Sequence, residues 1–188
     1  MASFHPEYAK ARWPDTVRVL GVRLVPLTID HAILLWRINS PFVAGGPISL
    51  AQLVTAVYVL SRPCDRAAKG LQGRCAGWML KLWGWQLTLL CADVRQALAI
   101  CTVGNYIEQA FQGPTLWEGE GGAKSCSSPF LQVLKCRLQS SLGCTNENAF
   151  AYPVQAAIWD LACHAEDSGR ADVVNAEDAE AIERLGRN

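Results

Sequence analysis

The chain has 188 residues, 51% of them hydrophobic and 18% charged, with seven Trp, eight Cys and no formal net charge. That length suits one domain with a core of its own, and it excludes a small disulfide- or metal-stapled scaffold. So apolar a composition fits a protein that associates with itself or with a partner. Charge is unevenly placed: residues 160–188 hold 8 of the 17 acidic side chains and 3 of the 17 basic ones. The basic residues upstream are scattered singly among apolar positions. A nucleic-acid binder concentrates them into a patch or arm, so nucleic acid is not an expected partner.

Residues 1–16, MASFHPEYAKARWPDT, have no apolar period and two prolines, and they read as an N-terminal arm carrying Phe4, Tyr8 and Trp13. His5, Pro6, Glu7, Lys10, Arg12 and Asp15 are incompatible with the apolar core of a secretory leader. A reducing, cytoplasmic setting is therefore expected, and free cysteines behave there as small apolar groups of helix interiors.

From residue 17 the chain reads as one mainly α domain, six or seven helices in a bundle with a short N-terminal β-ribbon. Val17, Val19, Val22, Leu24 and Pro26 alternate around Gly21, which gives the ribbon and its bend. Thr28 then caps a helix with Asp30 in its first turn, running to about Ser40 and stopped by Pro41. Its Ile29, Ala32, Ile33, Leu34, Leu35, Trp36 and Ile38 lie nearly all round the axis, as in a core helix. His31, beside the cap, is expected to be a satisfied capping residue. After a turn at FVAGG, Ser49 caps a second helix with Leu50, Leu53, Val54, Val57 and Leu60 at helical spacing, ending near Pro63. RPCDRAAKG reads as a charged turn.

Residues 71–90 carry a helical stripe of Leu71, Cys75, Trp78, Met79, Leu82 and Leu89, interrupted by Gly77 and Gly84. Lys81, Asp93 and Arg95 keep the apolar windows below the roughly 18–20 uncharged residues of a membrane span, so no membrane is expected. A helix from Asp93 presents Ala97, Ile100, Gly104, Ile107 and Phe111, and ends at Gly113-Pro114. Residues 113–128, rich in glycine, read as a long loop containing Trp117. Ser128-Pro129 opens a helix lined by Leu131, Leu134, Leu138 and Leu142 and stopped by Gly143. A loop covers about 144–151. Pro153 starts another helix with Val154, Ile158, Leu161, Ala162 and Ala165 inward and Ser168-Gly169 as its stop. Asn175 caps a last, acidic helix.

Catalytic and metal signatures are missing from this pattern. The cysteines include no C-x-x-C pair, and Cys126, Cys136 and Cys144 lack paired ligand spacing, so no metal is expected. Cys163 and His164 are adjacent and point about 100° apart on a helix. No G-x-S-x-G surrounds a nucleophile, and the glycine pairs 45–46 and 121–122 are not followed by G-K-[ST], so neither a catalytic triad nor a phosphate loop is indicated. The acid pairs Glu118/Glu120 and Glu166/Asp167 read as solvated side chains. No cofactor and no enzymatic activity are expected. Two other classes are an enzyme or metal protein whose site is assembled from distant segments and a DNA-associated helical regulator.

The order in VRVLGVRLVPLTIDHAILLWRINSPF, a short strand, then P-L-T, then a strongly apolar helix, resembles the opening of small helical tail-assembly chaperones of tailed phages and prophages. Leu24, Pro26, Leu27 and Thr28 carry most of the likeness, and the order of the later elements extends it over roughly residues 17–185. The resemblance implies a non-enzymatic protein of the bacterial host cytoplasm. Such a protein shields the hydrophobic helices of a tail tape-measure protein until tail-tube subunits assemble around it. An apolar helical groove can cover a partner helix in this way. Because Trp is enriched among binding hot spots, Trp13 in the arm and Trp117 in the glycine-rich loop are the candidate contacts.

Overall fold

A computed structural model describes residues 6–12, 14–73, 93–114, 116–118, 129–169 and 171–174. The protein is mainly helical with short antiparallel ribbons. Where the sequence suggested one domain from residue 17, the chain divides into two compact units: Asp15–Ala110, and Met1–Pro14 together with Phe111–Asn188.

The 15–110 unit opens with the expected ribbon. Strands β1 (Arg18–Val19) and β2 (Val22–Arg23) pair antiparallel, Arg18 opposite Arg23 and Val19 opposite Val22. Leu20 (φ 53°) and Gly21 (φ 79°) both sit in the left-handed region, the requirement of a two-residue hairpin turn matched to strand twist. The ribbon is fastened downstream where the Val25 amide donates to the Leu60 carbonyl at 2.8 Å.

Helix α2 (Ile29–Arg37) starts at Thr28 as expected, but it ends three residues before Ser40. Asn39 turns into the left-handed region (φ 52°), and Pro41 then begins a single turn, α3 (Pro41–Ala44), in place of the expected irregular FVAGG turn. Pro at the first helical position needs no N–H partner, which lets the turn form directly. Gly45 (φ 80°) and Gly46 (φ 110°) end it. Helix α4 (Leu50–Leu60) is capped by Ser49, whose hydroxyl receives the Gln52 amide while the Gln52 side chain accepts from the Ser49 N–H at 2.8 Å.

The core of this unit is centred on α4, and α2 contributes one side to it. Leu53, Val54, Ala56, Val57, Tyr58, Val59 and Leu60 are all buried, so α4 is covered on every side from Ala56 onward, while Ala51 and Gln52 in its first turn are exposed. Helix α2 buries only Ile29, His31, Ala32 and Leu35. The expectation that α2 is the enclosed helix is therefore corrected: elements packed on one of its sides leave Trp36 at 70% exposure and Ile33 at 37%.

The charged stretch after Pro63 is a helix, α5 (Cys64–Gln72), again contrary to the sequence reading. It buries Ala67 and brings Gly70 against the Tyr58 hydroxyl. The Arg62 guanidinium lies 3.6 Å over a face of the Tyr58 ring, a cation–π contact that helps to hold the ring in place. Most of the expected 71–90 stripe, residues 74–90, lies outside the described residues. Helix α6 (Asp93–Ala110) packs on α4, α3 and β1 through Ala99, Val103, Ile107 and Ala110. Its inward face is turned from the expected one, which shared only Ile107. The Tyr106 hydroxyl donates to the Val25 carbonyl, and burial pushes its pKa up to about 12.

In the other unit, part of the expected arm is a helix, α1 (Pro6–Arg12), packed on helix α9 (Val154–Asp167) with Ala11 buried. The Tyr8 and Trp159 rings meet edge to face at 6.1 Å. Helix α7 (Phe130–Leu142) follows Pro129, buries Leu134 and Leu138, and stops at Gly143 in the left-handed conformation (φ 65°). A one-and-a-half-turn helix, α8 (Asn146–Ala151), replaces the loop expected at 144–151, because Thr145 caps the Asn148 amide at 3.3 Å. Helix α9 buries Val154, Ala156, Ala157, Trp159 and Ala162, whereas Ile158, Leu161 and Ala165 are half-buried. Its stop at Ser168-Gly169 is as expected. The 113–128 stretch includes strand β3 (Leu116–Glu118), which pairs antiparallel with β4 (Ala171–Val173), Trp117 opposite Asp172. The acidic C-terminal helix expected from Asn175 lies outside the described residues.

Candidate partner-binding surface

Two polar clusters are the first places to look for chemistry, and both are consumed by the fold. At the start of α2 the Thr28 hydroxyl lies 2.7 Å from His31 Nδ1, and the Thr28 amide reaches the same nitrogen at 3.4 Å. His31 Nε2 lies 2.9 Å from the Arg62 carbonyl. A carbonyl only accepts, so Nε2 carries the proton and Nδ1 is the acceptor of a capping box in which His stands where Glu or Gln is usual. With both nitrogens committed, the buried imidazole cannot serve as a general base. Burial lowers its pKa against the raising effects of the Arg62 carbonyl and Asp30, which keeps it neutral at pH 7. Nearby Cys64 is pushed up to about 11 by burial, Asp30 and Asp65, so it is a thiol and a poor nucleophile.

The second cluster joins α1 to α9. Asp160 accepts from the Tyr8 hydroxyl at 2.9 Å and from the Tyr152 hydroxyl at 2.5 Å. Tyr8 is raised mainly by that bond, and Tyr152 is pushed up to about 12 by burial and then by Asp160. Both phenols are thus proton-bearing donors at neutral pH, able to hold a carboxylate but not to take up a proton. Among the described residues no group of three or more His, Cys, Asp or Glu is placed to bind a metal.

The cysteines depart from the expectation that they fill helix interiors. Cys64, Cys101, Cys136, Cys144 and Cys163 are free, and Cys101, Cys136 and Cys163 are exposed; Cys75 and Cys91 lie outside the described residues.

Five large apolar side chains stand exposed among the described residues. Trp36 and Ile33 stand three positions apart on the outer side of α2, held there by the buried Ile29, Ala32 and Leu35. On α6, Val94 (79% exposed) and Leu98 (67%) are four positions apart, with exposed Ala97 between them and Cys101 following at the next helical step. These are i, i+3, i+4, i+7 placements, which put side chains on one face as anchors for a partner helix. In the other unit Phe130 is exposed, tilted against Phe111 at 6.2 Å.

Of the contacts proposed from sequence, Trp13 lies outside the described residues. Trp117 is placed only by its backbone in β3. In the sequence Trp36 is one of the apolar residues that lie nearly all round α2, and Val94 and Leu98 fall outside the face expected for the helix from Asp93. The available signal was that both helices carry more apolar residues than one buried stripe can absorb.

Comparison with family models, with curated proteins and with solved structures found no match.

Proposed function

We propose that this chain is a non-enzymatic, protein-binding helical module of the tail-assembly chaperone kind, which covers a hydrophobic helix of a longer tail protein such as the tape-measure protein in the bacterial cytoplasm. The observation that carries the reading is Trp36, a large aromatic side chain 70% exposed on a helix whose opposite face is locked into the core. Trp is among the residue types most enriched at binding hot spots. Val94 and Leu98 add apolar anchors at helical spacing on the same unit. Trp13 and Trp117 stay as secondary contacts of the proposal. The commitment of His31, Tyr8 and Tyr152 to structural bonds supports a binding protein over an enzyme.

The test is co-expression with the long helical reading frame expected beside a chaperone gene. The partner gains solubility and co-purifies, and Trp36→Ala together with Leu98→Ala weakens the complex at least roughly tenfold, as loss of hot-spot side chains does. Both positions are exposed, so circular dichroism and thermal midpoint stay at wild-type values. Unchanged affinity in the double variant, or no tail protein from the locus retained, overturns the proposal.

A further inference from the structure

Helix α1 is seven residues long, well below the roughly 12–15 that an isolated helix needs in water, so it is helical because it lies on α9. The contact uses side chains at positions i, i+3 and i+4. The Tyr8 hydroxyl donates to Asp160 Oδ1 at 2.9 Å while its ring meets the Trp159 ring edge to face. Ala11, three positions on, is only 2% exposed. Arg12 hydrogen-bonds the Tyr152 hydroxyl, working against the burial and the Asp160 carboxylate that raise the pKa of that phenol.

The receiving face does not depend on α1. Trp159 and Asp160 sit on α9, which is held in its unit by buried Val154, Ala156, Ala157 and Ala162. The Tyr152 hydroxyl donates to Asp160 Oδ2 within the face itself. With α1 removed, Asp160 keeps that donor, and because it is half-buried water reaches its other oxygen, so no charge is stranded. What is uncovered is a Trp ring beside an oriented carboxylate, an apolar surface joined to a strong acceptor. The chain after α1 does not hold it down: residues 14–16 are exposed and belong to no helix or strand.

We propose that this face of α9 is a helix-docking site, that α1 fills it as a displaceable strap, and that its ligand in trans is a partner helix presenting Tyr, then a small residue at i+3 and Arg at i+4. The occupant's chemistry is read from α1, which is seated there. A phenol supplies both a ring for Trp159 and a donor for Asp160. A small residue suits the enclosed place of Ala11, and a guanidinium answers the Asp160 charge. Being part of the same chain, α1 competes with such a helix intramolecularly and keeps the site closed against weak ligands. The face belongs to the unit that does not carry Trp36, Val94 and Leu98, so it goes beyond the surface assigned above and the two readings fail separately.

The experiment is a ¹H–¹⁵N NMR titration of the full chain with a peptide of residues 4–14, FHPEYAKARWP. Two full-chain variants weaken the strap: Ala11→Asp puts a charge at the enclosed position, and Tyr8→Ala removes the phenol. The peptide gives saturable shifts at the Trp159 indole N–H and the amides of Asp160 and Cys163. It binds each variant at least roughly tenfold more tightly than wild type, because the competing strap is disabled. Tyr8→Phe in the peptide weakens its binding to the variants roughly tenfold, the loss of one hydrogen bond to a carboxylate; Lys10→Ala, at an exposed position, leaves it unchanged. Binding no tighter to either variant than to wild type, no binding to either variant, or a Tyr8→Phe peptide as tight as the parent overturns the proposal. So does unfolding of the α9 unit by both variants, which would make α1 a fixed part of its core.

Discussion

Gly70→Ala sets two opposed effects against each other, and the structure decides the sign. In the interior of an exposed helix the substitution stabilises by about 1 kcal/mol, since alanine gives up less backbone entropy on folding. Gly70 is not in that situation. A Cβ built there would lie 1.9 Å from the Tyr58 hydroxyl oxygen and 3.0 Å from the ring carbon that bears it. The first distance is more than 1 Å inside the range that real Cβ contacts occupy. Tyr58 is buried in α4 with the Arg62 guanidinium 3.6 Å over its ring, so it cannot swing aside without uncovering the core. Overpacking of this kind costs about 1–3 kcal/mol, at the upper end where neighbours are fixed. The net expectation is destabilisation by about 1–2 kcal/mol. Urea unfolding followed by circular dichroism measures it, with Tyr58→Phe as the second arm of a double-mutant cycle. Removing the hydroxyl relieves the worst contact, so Gly70→Ala should cost about 1 kcal/mol less in the Tyr58→Phe background. A raised midpoint for Gly70→Ala alone, or a cycle with no coupling, would refute the packing argument.

Three other expectations follow from the same structure. Burial holds the His31 pKa below its unfolded value of about 6.5, so His31 stabilises the fold fully above that pH, and the contribution is lost as pH falls through the folded pKa; urea midpoints drop between pH 7.5 and pH 5, and His31→Gln flattens the drop. Leu53→Asp places a carboxylate in a fully covered site and unfolds the 15–110 unit, whereas Ile33→Asp, at a position 37% exposed, keeps a near-native circular dichroism spectrum and midpoint; equal damage from both would show that the Ile33 side of α2 is enclosed as well. Alkylation mapped by mass spectrometry labels exposed Cys101 and Cys136 first at pH 8, while Cys64, pushed up to about 11, reacts more slowly; comparable rates would show that the Cys64 surroundings are wrongly understood.

The candidate surfaces were legible only in part. Residue type and loop context pointed to Trp13 and Trp117, yet the described exposed anchors are Trp36, Val94 and Leu98. In α2 and α6 apolar side chains occupy more of the helix than one stripe, so periodicity cannot distinguish the face that meets a neighbour from the face that does not. The place of Ser40 left no trace in the sequence, where it reads as the last residue of α2; it becomes the N-cap of α3 only once the Val43 and Ala44 amides are seen to go to its carbonyl.

What the sequence determined by itself is local. The Leu20-Gly21 bend, the starts of α2 and α4 at Thr28 and Ser49, and the stops at Gly143 and Ser168-Gly169 each depend on bonds or backbone angles within a few residues, so the adjacent side chains suffice to specify them. Tertiary structure decided which helix is enclosed, that the charged 64–72 stretch is a helix, that residues 6–12 pack on α9, and that the chain forms two compact units. Those outcomes depend on burial, which is set by surfaces brought from distant parts of the chain. Tyr58 meeting Gly70, or Asp160 collecting hydroxyls from Tyr8 and Tyr152, supplies the energy that turns a weak local preference into a fixed element.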